Sequence, residues 1–158
     1  MQDKLTFQFI SEPTDVNFGG KVHGGSVMKW IDQTAYACAA AYAEGYCVTV
    51  YVGGIRFYSP IHIGDLVKIN SRVIYTGQTS IHIAVDVYTR KISEKKYRKT
   101  THCVVVFVAV DENGKPKLCA PFVPKSDLEK NLQKYALKLI ELRKNIEAEM
   151  APFLKDYL

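Results

Sequence analysis

The 158-residue chain reads as an α+β protein in which one long helix is followed by an antiparallel sheet that wraps around it, with a second helix at the C-terminus. Three observations predict this. Residues 24–43 carry no proline and are rich in alanine in their second half, which gives a thin helix that a sheet can enclose closely. Four β-rich runs then follow, separated by turn residues. Last, Ser126-Asp127-Leu128-Glu129 is a capping box that opens a further helical pattern.

The elements follow in order. Leu5–Ile10 is a short apolar strand, and a loop containing Pro13 leads from it to a glycine-rich motif. The first helix is predicted over Gly24–Ala43, with Gly45 as its stop. Strands are predicted over Cys47–Tyr58, Leu66–Tyr75, Ser80–Lys91 and Tyr97–Asp111, joined most simply as an antiparallel meander. In the second of these, Val67, Ile69, Val73 and Tyr75 share a face opposite Lys68, Asn70 and Arg72, so one side is dry. The third puts Ile81, Ile83, Val85 and Val87 opposite His82, Asp86 and Thr89 less strictly. Val104–Val110 is apolar on both faces and needs covering on both, with another subunit as one possible cover. The C-terminal helix is expected to reach Met150, with Leu128, Leu132, Tyr135, Leu139 and Leu142 as its apolar stripe. The organisation is therefore one domain over 1–125 and a helical extension over 126–158.

Composition narrows the function. The net charge is +5, but the basic residues are spread along the chain instead of forming one aromatic-interleaved block, which argues against a nucleic-acid partner. No run approaches the roughly 20 apolar residues of a membrane span, and the N-terminus lacks a secretory pattern, so a cytoplasmic protein without a membrane partner is expected. Cys38, Cys47, Cys103 and Cys119 have no paired short spacing, so they are expected to be free thiols, not metal ligands or disulfides. His62, His82 and His102 are dispersed and are assigned packing or surface roles.

The chemistry concentrates in residues 15–32. A polar, glycine-rich loop runs into a helix that carries a lone acid, Asp32. Gly24 and Gly25 let a ligand approach the backbone, and the unpaired N–H groups of the opening helical turn can stabilise negative charge developing on an oxygen. Asp32 follows Gly25 by two turns on nearly the same face, placed to act as general base or nucleophile. His23 is a supporting residue or general acid, and Asn17 either closes a turn or orients a reactant. Arg90, Lys91 and Arg98 are candidates for phosphate groups.

Pro13 through Asn17, Val22-His23-Gly24-Gly25, and Met28 through Asp32 together resemble the acyl-CoA thioesterases of the hotdog superfamily, of the cytosolic long-chain acyl-CoA hydrolase type. Val48-Thr49-Val50, Phe57-Tyr58-Ser59-Pro60, Ile63-Gly64-Asp65, Thr76-Gly77-Gln78-Thr79-Ser80 and Val108-Ala109-Val110-Asp111 with Gly114-Lys115-Pro116 continue the resemblance in the same order. It implies the hotdog fold and hydrolysis of fatty acyl-CoA to fatty acid and CoA, with CoA as part of the substrate and no separate cofactor. It also implies a homodimer, assembled further as a trimer of dimers, with Asn17 of one subunit facing Asp32 of its partner. Thr76, Gly77, Thr79 and Ser80 would line the CoA channel, and Met28, Trp30, Tyr36 and Phe57 would wall the acyl pocket. Lys21 stands where some bacterial relatives carry an acid. A non-catalytic protein that binds or senses acyl-CoA is the alternative function, and a hotdog dehydratase or hydratase using His23 with Asp32 is a third.

Overall fold

The computed structural model describes residues 2–157. Its elements are β1 (Lys4–Ile10), a single 3-10 turn (Pro13–Asp15), α1 (Gly24–Ala43), β2 (Cys47–Phe57), β3 (Leu66–Thr76), β4 (Ser80–Arg90), β5 (Arg98–Ala109) and α2 (Asp127–Leu154). The chain divides into two compact units, one ending at Phe122 and the other beginning at Val123.

In the first unit, five strands form one antiparallel sheet in the order β1-β3-β4-β5-β2, and every strand contacts α1. This is the helix-wrapping architecture that the resemblance implies. The meander holds for β3-β4-β5 only. β2 pairs with β5, and β1 occupies the flank of β3 that a full meander would have reserved for β2. The connection from β2 to β3 therefore crosses from one edge of the sheet toward the other, and it passes the N-terminal end of α1, where Val22 N–H bonds to Ile61 O.

α1 buries Val27, Ile31, Thr34, Ala35, Cys38, Ala39 and Tyr42, so its thin alanine side is indeed the enclosed one. The helix ends at Ala43, as predicted, ahead of Gly45. Glu44, not Gly45, takes the left-handed conformation (φ 52°), and the Gly45 N–H closes back on Ala40 O. Facing α1, the sheet contributes Val67, Ile69, Val73, Ile81, Ile83, Val85, Val87, Val105 and Phe107, nearly all fully buried. Burial at roughly 25 cal/mol per Å2 makes this cluster the main source of stability.

Two departures from strict alternation have local causes. A register shift falls between Val73 and Tyr75, where Tyr75 is only half-buried and Ile74, at 1% exposure, is buried outside the core cluster that holds Val73. Thr89, in phase with Ile81 to Val87, lies on the dry face with them. Val104 and Val106 are buried as well as Cys103, Val105 and Phe107, so β5 has two dry faces within a single chain and needs no second subunit to cover it.

α2 starts at the expected box, with Glu129 N–H donating to Ser126 Oγ (3.1 Å) and Ser126 N–H to Glu129 Oε2 (3.2 Å). It runs to Leu154, a turn past Met150. Its predicted stripe is only partly buried, since Leu128 and Leu142 are exposed and Ala136 is the fully buried position. Among the described residues no helix is long and apolar enough to cross a membrane.

Candidate active site

The loop before α1 is built around Asn17. Its carboxamide Oδ1 accepts from the backbone N–H of Gly19 (2.9 Å) and Lys21 (3.2 Å), while its own N–H donates to Lys21 O (2.6 Å). The side chain thus closes a turn, as asparagine does where chain reversal leaves backbone donors unpaired. It uses only its oxygen for this, and the NH2 takes no part in the turn. Lys21 lends its backbone to the turn and projects an exposed side chain.

The turn is tied to the helix start by His23 N–H donating to Asp15 O (2.7 Å). His23 is the helix N-cap, but its imidazole does not cap the helix and is exposed. The first helical bond is Val27 N–H to His23 O (3.1 Å), so the N–H groups of Gly24, Gly25 and Ser26 have no partner among the described residues. Three aligned donors at the positive end of a 20-residue helix form a ready site for an oxygen that gains negative charge.

Asp32 lies two turns on, exposed at the surface of α1. Its Oδ1 accepts a hydrogen bond from Thr49 Oγ1 (3.0 Å), on β2. Thr49 belongs to the Val48-Thr49-Val50 segment of the resemblance, which assigns it no role. It sits inside a strand, 17 positions from Asp32, and only pairing in space brings the two together. The bond fixes one carboxylate oxygen and leaves the other open.

The remaining predicted residues separate into two groups. Thr76, Gly77, Thr79 and Ser80 form the β3–β4 turn, closed by Gly77 N–H to Ser80 O (3.0 Å). The turn is pinned by Phe122 N–H to Thr76 Oγ1 (2.8 Å) and by Cys119 Sγ against the Gly77 and Gln78 carbonyls. Arg90, Lys91 and Arg98 lie at the other end of β4, about 33 Å away for ten residues of strand. A single chain does not bring the two groups together. Arg90 and Arg98 are, moreover, largely committed. Arg90 donates to the carbonyls of Lys91, Ile92 and Glu94, and Arg98 to Pro60 O (3.3 Å) and Asp65 Oδ2 (3.4 Å), while Lys91 is exposed.

Of the four expected acyl-pocket residues, Phe57 alone flanks the helix N-terminus. Trp30 meets Phe9 edge-on at 4.9 Å, Tyr36 packs edge-on against Tyr46 and Phe107, and Met28 packs on the core. These side chains leave α1 in different directions, which the spacing of aromatics in the sequence does not reveal.

A second polar cluster lies away from these residues. Asp86 accepts from His102 Nδ1 (2.8 Å) and Lys99 Nζ (2.7 Å). Burial pushes the Asp86 carboxyl upward, but the hydrogen bonds from His102 and Lys99 outweigh it and hold the group below the usual carboxylate range. Of the thiols, Cys38 and Cys103 are pushed up to about 11 by burial, which leaves them protonated and unreactive. No group of three or more histidine, cysteine or acidic side chains able to hold a metal occurs among the described residues.

Comparison with known proteins places this geometry in context. Residues 19–96 match the family model of the thioesterase superfamily. The acyl-CoA thioester hydrolase YciA of Salmonella typhimurium is 34% identical over 119 residues, which cover 73% of this chain and 90% of that protein. A hexameric acyl-CoA thioesterase superposes with a TM-score of 0.89 at 31% identity, covering 93% of this chain and 94% of its own. The acyl-CoA hydrolase of Staphylococcus aureus, solved with butyryl-CoA, CoA and CoA disulfide, superposes with a TM-score of 0.89 at 27% identity, covering 99% of this chain and 95% of its own. That hydrolase has also been solved with an asparagine, an aspartate 15 positions later and a threonine 17 positions beyond that each replaced by alanine. Asn17, Asp32 and Thr49 have the same spacing.

Proposed function

This chain belongs to the thioesterase superfamily, as a hotdog-fold acyl-CoA thioester hydrolase, and from that premise we propose that it releases fatty acids from fatty acyl-CoA at a site that two chains build together. The observation that carries the reading is the split between the helix N-terminus and Asp32. Gly25 and Asp32 are seven residues apart, about 10 Å along α1. Hydrogen-bond reach is about 3 Å, so one carbonyl cannot meet both on a single chain. A two-fold contact that apposes two such helices brings Asn17 and the glycine N–H groups of one chain against Asp32 and Thr49 of the next.

In this arrangement the thioester oxygen lies at the N–H groups of Gly24 and Gly25. The Asn17 NH2 orients the carbonyl or the attacking water. Asp32, held by Thr49, takes a proton from that water as its oxygen bonds to the carbonyl carbon. The resulting oxyanion collapses, the carbon–sulfur bond breaks, and the departing CoA sulfur recovers the proton from Asp32. Direct attack by Asp32, followed by hydrolysis of the mixed anhydride, yields the same products. His23 stays in a supporting role at the N-cap, and the exposed Lys21 occupies no position that this chemistry requires.

The 76–80 turn and the cations of Arg90, Lys91 and Arg98 would serve CoA only if contributed by different chains, which accords with assembly beyond the monomer. A homo-oligomer built from dimers, in the manner of the hexameric relative, is the assembly proposed. The test is release of free thiol from acetyl- to palmitoyl-CoA by wild type and Asp32→Asn. Turnover lost by orders of magnitude in the variant, with CoA binding retained, supports the assignment. Absence of turnover in wild type with CoA binding intact would leave the acyl-CoA-binding alternative in its place.

A further inference from the structure

The most exposed large apolar side chain among the described residues is Phe18, at 109% relative exposure, and it takes no part in the steps proposed above. A lone apolar residue at a surface needs no explanation. What gives this one a meaning is its place, next to Asn17 at the tip of the loop before α1. Resting on the two-chain thioesterase reading above, we infer that Phe18 is a positioning residue: its ring seats on Val50 and Val52 of the neighbouring chain and holds Asn17 opposite Asp32 and Thr49.

The presenting side is an ordered turn. Asn17 N–H donates to Lys21 O (2.6 Å) and Gly20 N–H to Asn17 O (3.1 Å), while the Asn17 carboxamide holds the N–H groups of Gly19 and Lys21. Gly20 takes the left-handed conformation (φ 78°) that lets the chain reverse. Neither Gly19 nor Gly20 carries a side chain to cover the ring, so the turn holds Phe18 outward. At its base the turn is fastened by His23 N–H to Asp15 O (2.7 Å) and by Val22 N–H to Ile61 O (2.9 Å), whereas the ring at its tip lies free of the described residues of its own chain.

The receiving side lies beside the proposed reaction centre. β2 is an edge strand, paired on one side only, with β5. Thr49 stands opposite Phe107 and Val52 opposite Val105, both core residues, so Thr49 and Val52 share the face of β2 turned to α1. Val52 is nevertheless 39% exposed, and Val50, at the register shift that follows Thr49, is 54% exposed. An apolar step therefore adjoins the hydrogen bond from Thr49 to Asp32 (3.0 Å). Consecutive Cα atoms are about 3.8 Å apart. A contact that brings Asn17 to Asp32 and Thr49 thus brings Phe18 within a side chain's length of those valines, and a buried aromatic ring is the kind of group that anchors an interface.

The anchor matters to the reaction because the Asn17 oxygen is committed to the turn, so its NH2 is aimed only by placing the turn as a whole. Free-thiol release is measured for wild type, Phe18→Ala, Phe18→Leu, Val52→Ala and the double variant Phe18→Ala with Val52→Ala, using the acyl-CoA that wild type turns over fastest. Each is assayed at low and high protein concentration, with assembly followed by sedimentation and folding by thermal melting.

The expected result is a kcat lowered at least about tenfold by Phe18→Ala, the scale of a small misplacement of a reacting group, with KM moved less than about threefold. Phe18→Leu keeps an apolar tip and recovers most of the loss. Val52→Ala lowers kcat by a smaller factor, and the double variant is no worse than Phe18→Ala, since both changes empty the same contact. Wild-type kcat in Phe18→Ala or Val52→Ala, a loss that vanishes at high protein concentration, or losses that multiply in the double variant would overturn the anchor and leave the thioesterase reading intact. A wild type that hydrolyses no acyl-CoA overturns both, and one fully active as a monomer overturns the two-chain site and the anchor with it.

Discussion

Thr49 offers the sharpest test of the site, because its Oγ1 supplies the one hydrogen bond that Asp32 receives among the described residues. A hydrogen bond to a charged group contributes about 1.5–3 kcal/mol when buried. Asp32 is exposed in the single chain, so the lower part of that range, about 1.5–2 kcal/mol, is the appropriate figure. At about 1.4 kcal/mol per factor of ten, kcat should fall roughly 10- to 30-fold in Thr49→Val, which keeps the shape and removes the hydroxyl. KM should change little, since the bond orients the carboxylate without touching the substrate. Thr49→Ser retains the donor and should stay within about threefold of wild type, a margin well below one hydrogen bond. The assay is steady-state release of free thiol, with the fold of each variant checked by thermal melting. Wild-type kcat in Thr49→Val, or a serine variant as impaired as the valine one, would refute the positioning role.

Asn17→Asp keeps the oxygen that closes the turn and removes the NH2, so kcat/KM should drop at least about tenfold with an unchanged melting temperature if the amide serves the reaction; full activity would mean that Asn17 only shapes the loop. Asp86→Asn should destabilise the fold by about 1–2 kcal/mol at neutral pH, measured by urea denaturation. Because the Asp86 carboxyl lies below its ordinary value in the folded chain, its stabilisation is present above about pH 4 and is lost as pH falls through the lowered folded value. The variant should therefore show a flatter acid limb, and parallel limbs would contradict the ion-pair account. Alkylation of native protein near pH 8 should modify Cys119, the one half-exposed thiol, well before Cys38 and Cys103, as read by mass spectrometry of peptides.

How much of this was legible in the sequence depends on the range of the interaction. The start of α1 at Gly24 and the capping box at Ser126 are local, and both lie where the residues put them. The dry faces of β3 and β4 follow from alternation, until the register shift after Val73 interrupts it and leaves Tyr75 half-buried. The placement of β2 beside β5 depends on contacts between residues more than 50 positions apart, such as Cys47 with Ala109, and no local pattern encodes it. The site divides the same way. Asn17, Gly24, Gly25 and Asp32 belong to one continuous motif. Thr49 stands in the Val48-Thr49-Val50 segment of the resemblance, but no spacing pairs it with Asp32, whereas the separation of the 76–80 turn from Arg90 and Arg98 already follows from the strand predicted over Ser80–Lys91.

The 10 Å between Gly25 and Asp32 along a single helix also has a genetic consequence. On the proposed reading each pair of chains carries two reaction centres, and each centre draws its oxygen-binding half from one chain and its carboxylate half from the other. An allele damaged at Asn17 and an allele damaged at Asp32 are each inactive alone. Expressed together, every mixed pair gathers both lesions into one centre and leaves the other whole. Two null alleles of this gene should therefore complement one another when their lesions fall on opposite sides of that 10 Å, and fail to when they fall on the same side.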